Sequence, residues 1–482
     1  MTLFRTADLV RIYPELLLTG FGILVMILDP FLPKERKTLL GWLALVGVLA
    51  AGGSAVRTSL AGGLAFGGSV AADGFSVYFI YIFLLVAGLT LLGSMAYLER
   101  DHIPHGEFYA LVLLGTVGMC FMAASTELIM IFIGLEISSI STYILAGFKR
   151  RDRFSNEASF KYFLLGSFAT AFFLYGIAFV YGLTGTTNLM TLSQYMARGA
   201  HWSALARVAM ILMFVGLAFK LSTVPFQIWT PDVYQGAPAP VTAFLSVGPK
   251  AAAFAVLIRI FLGGFGSGGS ISFWVIWLSA VLTMCLGNLA AIWQSNVKRL
   301  LAYSSIAHAG YVLVGVAAGG VEGTAAVLYY LTAYALMNVG AFILIAYLAG
   351  PGERWTNVDD YTGLAYERPG VAACLTVILL SLAGIPTTAG FLGKFYIFRA
   401  AIHSNLIALT IVGVLNSVVS VYYYFRIIIA MYMREGKSQA AQVTLPWPVK
   451  AALAISVFGI FYLGILPNWF VGLARVGASP LP

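Results

Sequence analysis

The chain has 482 residues, of which 60% are hydrophobic and only 10% charged, and its mean hydropathy is +0.91. A soluble fold of this composition would lack the polar surface to cover its core, so the chain is a polytopic membrane protein. The formal charge of +9 comes with no basic groove interleaved with aromatic residues, which gives no reason to invoke nucleic acid.

The N-terminal stretch MTLFRTADLVRIYPELLLTGF carries Arg11, Pro14 and Glu15 where a signal peptide needs an unbroken apolar run, and it reads as the start of the first membrane helix. A spanning helix takes roughly 20 mostly apolar residues. Cutting at charged, Gly-rich and Pro-rich breaks gives about fourteen such segments: 10–31, 38–57, 73–97, 107–124, 126–148, 158–183, 205–228, 239–264, 271–293, 299–319, 323–349, 370–401, 405–433 and 447–472. The connections are short and leave no room for a separate soluble domain.

Basic residues favour the cytoplasmic side of a membrane. The odd-numbered loops hold PKERK at 33–37, KRRDR at 149–153, KR at 298–299, and Arg434 with Lys437, against little beyond Arg57, Arg198 and Arg207 in the even-numbered loops. Odd loops are therefore expected in the cytoplasm and both termini outside it.

Two segments cannot be regular helices. The seventh has Pro225 after Lys220, and the twelfth has Gly384, Pro386, Gly390 and Gly393 before Lys394. Proline removes a backbone donor and glycine loosens the helix, which predicts a break in each. They stand five segments apart, and an odd spacing makes the second copy inverted. The expected organisation is three N-terminal helices (1–104), one five-helix repeat (105–265), its inverted copy (270–435) and a last helix (447–472).

Most charges lie at segment ends. Those that do not are Glu136, Lys161, Lys220, Lys250, His308 and Lys394, spread over segments five, six, seven, eight, ten and twelve. A charge at the bilayer centre costs at least about 2.5 kcal/mol, so such groups are paired or hydrated. Glu136 is the expected counter-ion of Lys220, and a second candidate partner for Lys161, which also has Glu157 four residues earlier near a helix start. Burial and like charges disfavour a charged lysine and a nearby carboxylate favours it, so making and breaking the Glu136 contact can load and release a proton. Ser138, Ser139, Ser141, Ser222, Thr223, Ser304, Ser305, Tyr334, Asn338, Thr387 and Thr388 are polar neighbours that can hold water along such a relay or simply pack helices.

Metal and redox chemistry find little support. Cys120, Cys285 and Cys374 are far apart in apolar segments without a C-x-x-C pair, and the His102 and His105 pair has nothing near it in sequence to complete a shell.

The stretches FKLSTVPFQIWTPDVYQGAPAPVTAFLSVGPKAAAFAV, NEASFKYFLLGSFATAFFLYG, NVKRLLAYSSIAHAGYVLVG and IPTTAGFLGKFYIF closely resemble the antiporter-like membrane subunits of bacterial respiratory complex I, in the subunit N branch. The resemblance covers about residues 70–435. It implies a fourteen-helix proton-translocating subunit of the bacterial inner membrane, surrounded by other membrane-arm subunits, with no cofactor of its own. FMN and iron–sulfur clusters would sit in partner subunits, with quinone as the acceptor. Residue by residue, Glu136 matches the family's essential glutamate of the fifth helix and Lys220 the lysine of the broken seventh. Lys161, Lys250, His308 and Lys394 match the additional lysine of the sixth helix, the connecting lysine of the eighth, the central histidine and the terminal lysine of the broken twelfth. Lys394 and the short C-terminus favour the N branch over its M and L relatives. One departure is Gln227, where the family often has histidine. Two other readings share the same residues: a subunit of a multi-subunit cation/proton antiporter, and a passive scaffold whose buried charges fix helix register.

Overall fold

The computed structural model describes residues 6–479 apart from 104, 198–202, 267–269, 437, 439 and 441–443, so Arg198 and Lys437 lie outside the described residues. Among the described residues, thirteen helices are long and apolar enough to cross a membrane: Tyr13–Phe31, Lys34–Ala61, Gly74–Arg100, Gly106–Ala124, Leu128–Ala146, Arg153–Thr184, Ala204–Leu221, Ala239–Gly264, Ile271–Ile292, Val297–Ala318, Gly320–Leu348, Ile407–Met433 and Trp447–Ile465. A twelfth span, between Gly320–Leu348 and Ile407–Met433, comes in two halves, Pro369–Ala383 and Ala389–His403. Counted with it, the spans number fourteen, as the sequence predicts.

Local chemistry sets the ends of these helices. Asp73 and Ser76 cap the third span reciprocally, Asp152 accepts from the amides of Phe154 and Ser155 at the start of the sixth, and Asn296 accepts from Arg299 N at the start of the tenth. Gly185 closes the sixth span with φ 66° and Gly384 closes the first half of the twelfth with φ 88°, a backbone region open to glycine at little cost.

The eighth span (Ala239–Gly264) and the eleventh (Gly320–Leu348) are each buried over a stretch long enough to cross the membrane, and they pack against each other. Around them the sixth, thirteenth and fourteenth spans bury only one face and leave Phe168, Val418 and Phe458 outward. Such apolar outer faces suit lipid or a neighbouring membrane protein.

Four details differ from the sequence reading. The seventh segment is helical only to Leu221 and resumes at Trp229–Gly236, beyond the expected end at 228, because Ser222 turns left-handed (φ 60°) ahead of Pro225. The fourteenth stops at Ile465, not 472. Pro467 lacks the amide to continue it, and a separate helix follows at Asn468–Gly477. The loop after the second span holds a small antiparallel hairpin, Gly63–Ala65 with Val70–Ala72. A short helix, Leu189–Ala197, precedes the seventh span.

Candidate functional site

At the first break, Lys220 occupies the last turn of its half-helix, where backbone carbonyls lack intrahelical partners. Trp229, the first residue of the other half, donates its indole N–H to Phe219 O at 2.9 Å, a carbonyl that also accepts from Ser222 N at 3.0 Å. Lys220 itself is 5% exposed. Its Nζ lies 3.3 Å from Tyr162 Oη, 4.8 Å above the Tyr143 ring and 4.9 Å above the Tyr162 ring. Aromatic faces attract a desolvated cation by about 2 kcal/mol.

Glu136 is the carboxylate acting electrostatically on Lys220, yet the two form no direct ion pair. Among the described residues Glu136 Oε1 is buried without a hydrogen-bond partner, as are Tyr143 Oη, Ser222 Oγ, Gln227 Oε1, Thr230 Oγ1 and Tyr234 Oη. Buried polar atoms are nearly always satisfied. A concentration of orphans around one helix break is the pattern that ordered water satisfies.

From Lys220 a file of rings leads inward. Tyr162 stacks on Trp229 with centroids 4.4 Å apart, Trp229 meets Tyr234 at 6.1 Å, and Lys250 Nζ stands 5.5 Å above Tyr234. Lys250, on the buried eighth span, donates to Ser305 Oγ at 2.5 Å and Ser305 O at 3.3 Å, and Tyr334 donates to the same Ser305 hydroxyl at 2.8 Å. The neighbouring Ser304 bonds Tyr424 Oη, which lies 3.1 Å from His308 Nε2. The other imidazole nitrogen, Nδ1, is 2.6 Å from Tyr330 Oη. A histidine bonded at both nitrogens can pass a proton in at one and out at the other.

At the second break, Lys394 Nζ donates to Leu382 O at 3.2 Å, Ala383 O at 2.9 Å and Ser417 Oγ at 2.9 Å, and lies 5.0 Å above the Tyr311 ring. The halves meet closely here, since a Cβ on Gly390 would collide with the Ser381 carbonyl oxygen.

Two expectations need correction. Lys161 is not a buried member of this file: its side chain is 39% exposed and pairs with Glu157 at 2.7 Å and Asp232 at 2.8 Å rather than with Glu136. The near end of a helix faces solvent, and carboxylates within reach there replace the distant one. Glu136 and Lys220, in turn, interact across a gap and not by contact.

Sequence reasoning missed two ionic clusters and most of the tyrosines. Asp232, on the second half of the seventh span, joins Lys161 to Arg299 (2.7 Å). Glu353, in the loop after the eleventh span, accepts from Ala239 N (2.7 Å), Lys298 Nζ (2.7 Å) and the Tyr97 hydroxyl, with Lys149 Nζ 3.9 Å away. Burial alone would raise the Glu353 carboxyl, but Lys298 and Lys149 outweigh it and hold it down at about 2. Both carboxylates sit beside basic loop residues, and only chain folding brings them to their partners. Among the described residues no group of three or more His, Cys, Asp or Glu is placed to hold a metal ion.

Residues 125–420 match the sequence profile of the NADH:quinone oxidoreductase/Mrp antiporter transmembrane family. The chain is 48% identical to NADH-quinone oxidoreductase subunit N 1 of Solibacter usitatus, covering 99% of each, and 46% identical to subunit N of Trichlorobacter lovleyi, covering 98% of the chain and 97% of that protein. Among solved structures it is similar to a chain of respiratory complex I from Thermus thermophilus, with 33% identity, a TM-score of 0.81 and 96% and 99% coverage. A chain of the Mrp complex from Dietzia, 22% identical with a TM-score of 0.85, shares the fold. The broken helices, the buried lysines and these likenesses together make the chain a member of the NADH:quinone oxidoreductase/Mrp antiporter transmembrane family, in its subunit N branch.

Proposed function

We propose that the chain is the antiporter-like subunit N of a bacterial NADH:quinone oxidoreductase, embedded among the other membrane-arm subunits, and moves protons in response to quinone reduction elsewhere in the complex. The observation carrying this reading is the file of groups from Lys220 through Lys250, Ser305 and His308 toward Lys394, with the Tyr311 ring lying against both His308 and Lys394. No step of electron transfer is assigned to this chain. NADH oxidation and quinone reduction belong to partner subunits carrying FMN and iron–sulfur clusters.

In this reading 105–265 and 270–435 are the two inverted repeats, and the basic odd-numbered loops face the cytoplasm of a cell whose inner membrane holds the chain, with both termini periplasmic. A proton enters near Lys161 and Asp232, at the exposed edge of the bundle. Water around the orphaned atoms at the first break carries it to Lys220. Lys250 and His308 pass it along the centre, and it leaves outward through Lys394. Glu136 acts on Lys220 across a gap, so a small approach or retreat changes how strongly the lysine holds its proton.

The cation/proton antiporter reading has the shared profile and fold behind it, but the identity to subunit N relatives is 48% against 22% for the Mrp chain. The experiment is Lys220→Ala and Lys250→Ala in the reconstituted complex, reading protons moved per quinone reduced. Unchanged stoichiometry in both would overturn the relay. Reporter fusions at each terminus test the orientation.

A further inference from the structure

A cleft runs between Ala389–His403 and the thirteenth span, with Phe395, Phe398, Val414 and Val418 on its walls. Lys394 and Ser417 line it at one end, and Arg399 and His403 line it toward the other. The proton carrier at the second break is thus open sideways, toward whatever surrounds the bundle.

Three features identify the occupant. The thirteen helical residues from Phe391 to His403 span about 18 Å, close to the roughly 15 Å of one leaflet's half of a 30 Å hydrocarbon core. The cleft's empty space is about 1160 Å³ with its open side included. Together with its apolar walls, that space accommodates a hydrocarbon chain. Near the loop end stands a free cation: His403 is tied to Glu322 at 3.0 Å, but Arg399 makes no hydrogen bond or ion pair among the described residues. A guanidinium at the edge of an apolar groove matches a phosphate.

We propose that a phospholipid fills this cleft, its phosphate on Arg399 and one acyl chain reaching Lys394, so that hydrocarbon forms the wall the protein leaves open. The site seals the second break from the bilayer and keeps a proton on the protein path. This sealing role rests on the reading of Lys394 as a proton carrier. The binding site does not.

The test uses the whole complex in nanodiscs containing a phospholipid with a photoreactive diazirine at the end of one acyl chain. Adducts are expected on residues 391–398 and 414–418. Their yield should fall at least fivefold in Arg399→Gln, remain in Arg399→Lys, and fall in Val418→Trp, which fills an outward-facing part of the cleft without touching the core. Absence of adducts there in the unaltered complex, equal yield in Arg399→Gln and Val418→Trp, or a zero-length cross-link from this cleft to another subunit would overturn the proposal. Pumping by Lys394→Met is read separately. Normal pumping in that variant removes the sealing role and leaves the labelling result standing.

Discussion

Lys394 Nζ lies 2.9 Å from the carbonyl oxygen of Ala383, across the break in its own span, so the lysine on the second half closes the open end of the first. The seventh span solves the same problem with a different group, the Trp229 indole on Phe219 O. Lys220 is thereby left with a hydroxyl and two ring faces as its contacts, whereas Lys394 is bound to three oxygens. The two breaks thus hold their lysines differently, the second with more hydrogen-bond acceptors than the first.

This difference predicts unequal costs. Lys394→Met should abolish translocation and also destabilise the chain by roughly 1–3 kcal/mol, because two buried carbonyls lose their donor. Trp229→Phe should cost about 1 kcal/mol for one lost bond while keeping the stacked ring and most of the pumping. Thermal unfolding of the purified complex, read beside proton-to-quinone stoichiometry, separates the two.

The gap between Glu136 and Lys220 distinguishes a relay from a scaffold. Removing one member of a contacting buried ion pair costs roughly 3–5 kcal/mol. Because Glu136 Oε1 has no protein partner here, Glu136→Gln should cost under about 1 kcal/mol, on the scale of a pair that was never in contact. Pumping should nevertheless fall at least tenfold. A large loss of stability with normal pumping in the surviving complex would favour the scaffold.

Helix number, the two breaks and the buried lysines were legible from the chain because each has a local cause: apolar length, Pro225, Gly384 with Pro386, and a charge inside an apolar run. What escaped was set by distance in sequence. Glu353 looks like an ordinary loop acid until folding brings it to Lys298 and the amide of Ala239, 114 residues away. Tyr424 meets His308 across 116 residues, and nothing in a tyrosine's sequence neighbours distinguishes a hydroxyl that bonds a buried histidine from a packing ring. Lys161 failed for a subtler reason: its apolar neighbours suggested burial, but Phe160, Phe163, Leu164 and Leu165 are themselves exposed on the outer side of the bundle.

Glu353 gives a pH signature. Its carboxyl is held at about 2 in the folded chain against 4.5 ordinarily. A depressed carboxylate adds stability that is fully present above 4.5 and is lost as pH falls through 2, here roughly 3 kcal/mol. Glu353→Gln should therefore lower the melting temperature by the same amount at pH 5.5 and at pH 8, since the native group is ionised in both folded and unfolded chains over that window. A difference that shrinks between pH 8 and pH 5.5 would mean the lysines do not hold the carboxyl down.

Gln227 tests whether the first break needs a titrating side chain of its own. Its Oε1 is buried with no protein partner, in the same orphaned group as Glu136, Ser222 and Thr230. An amide can order a water there but cannot take up or lose a proton. If water alone carries the proton to Lys220, Gln227→His should pump at a rate within about twofold of the original near neutral pH. Histidine titrates between about pH 5 and 8, so this variant should also acquire a pH dependence in that range that the glutamine chain lacks. Gln227→Leu removes the water's anchor and leaves Ser222 and Thr230 in place, so pumping should drop several-fold without vanishing. Initial rates of proton uptake from pH 5.5 to 8.5 on the three chains decide it: wild-type rates in Gln227→Leu would show that water at this position is dispensable, and the path would then have to run through the Tyr143 and Tyr162 hydroxyls.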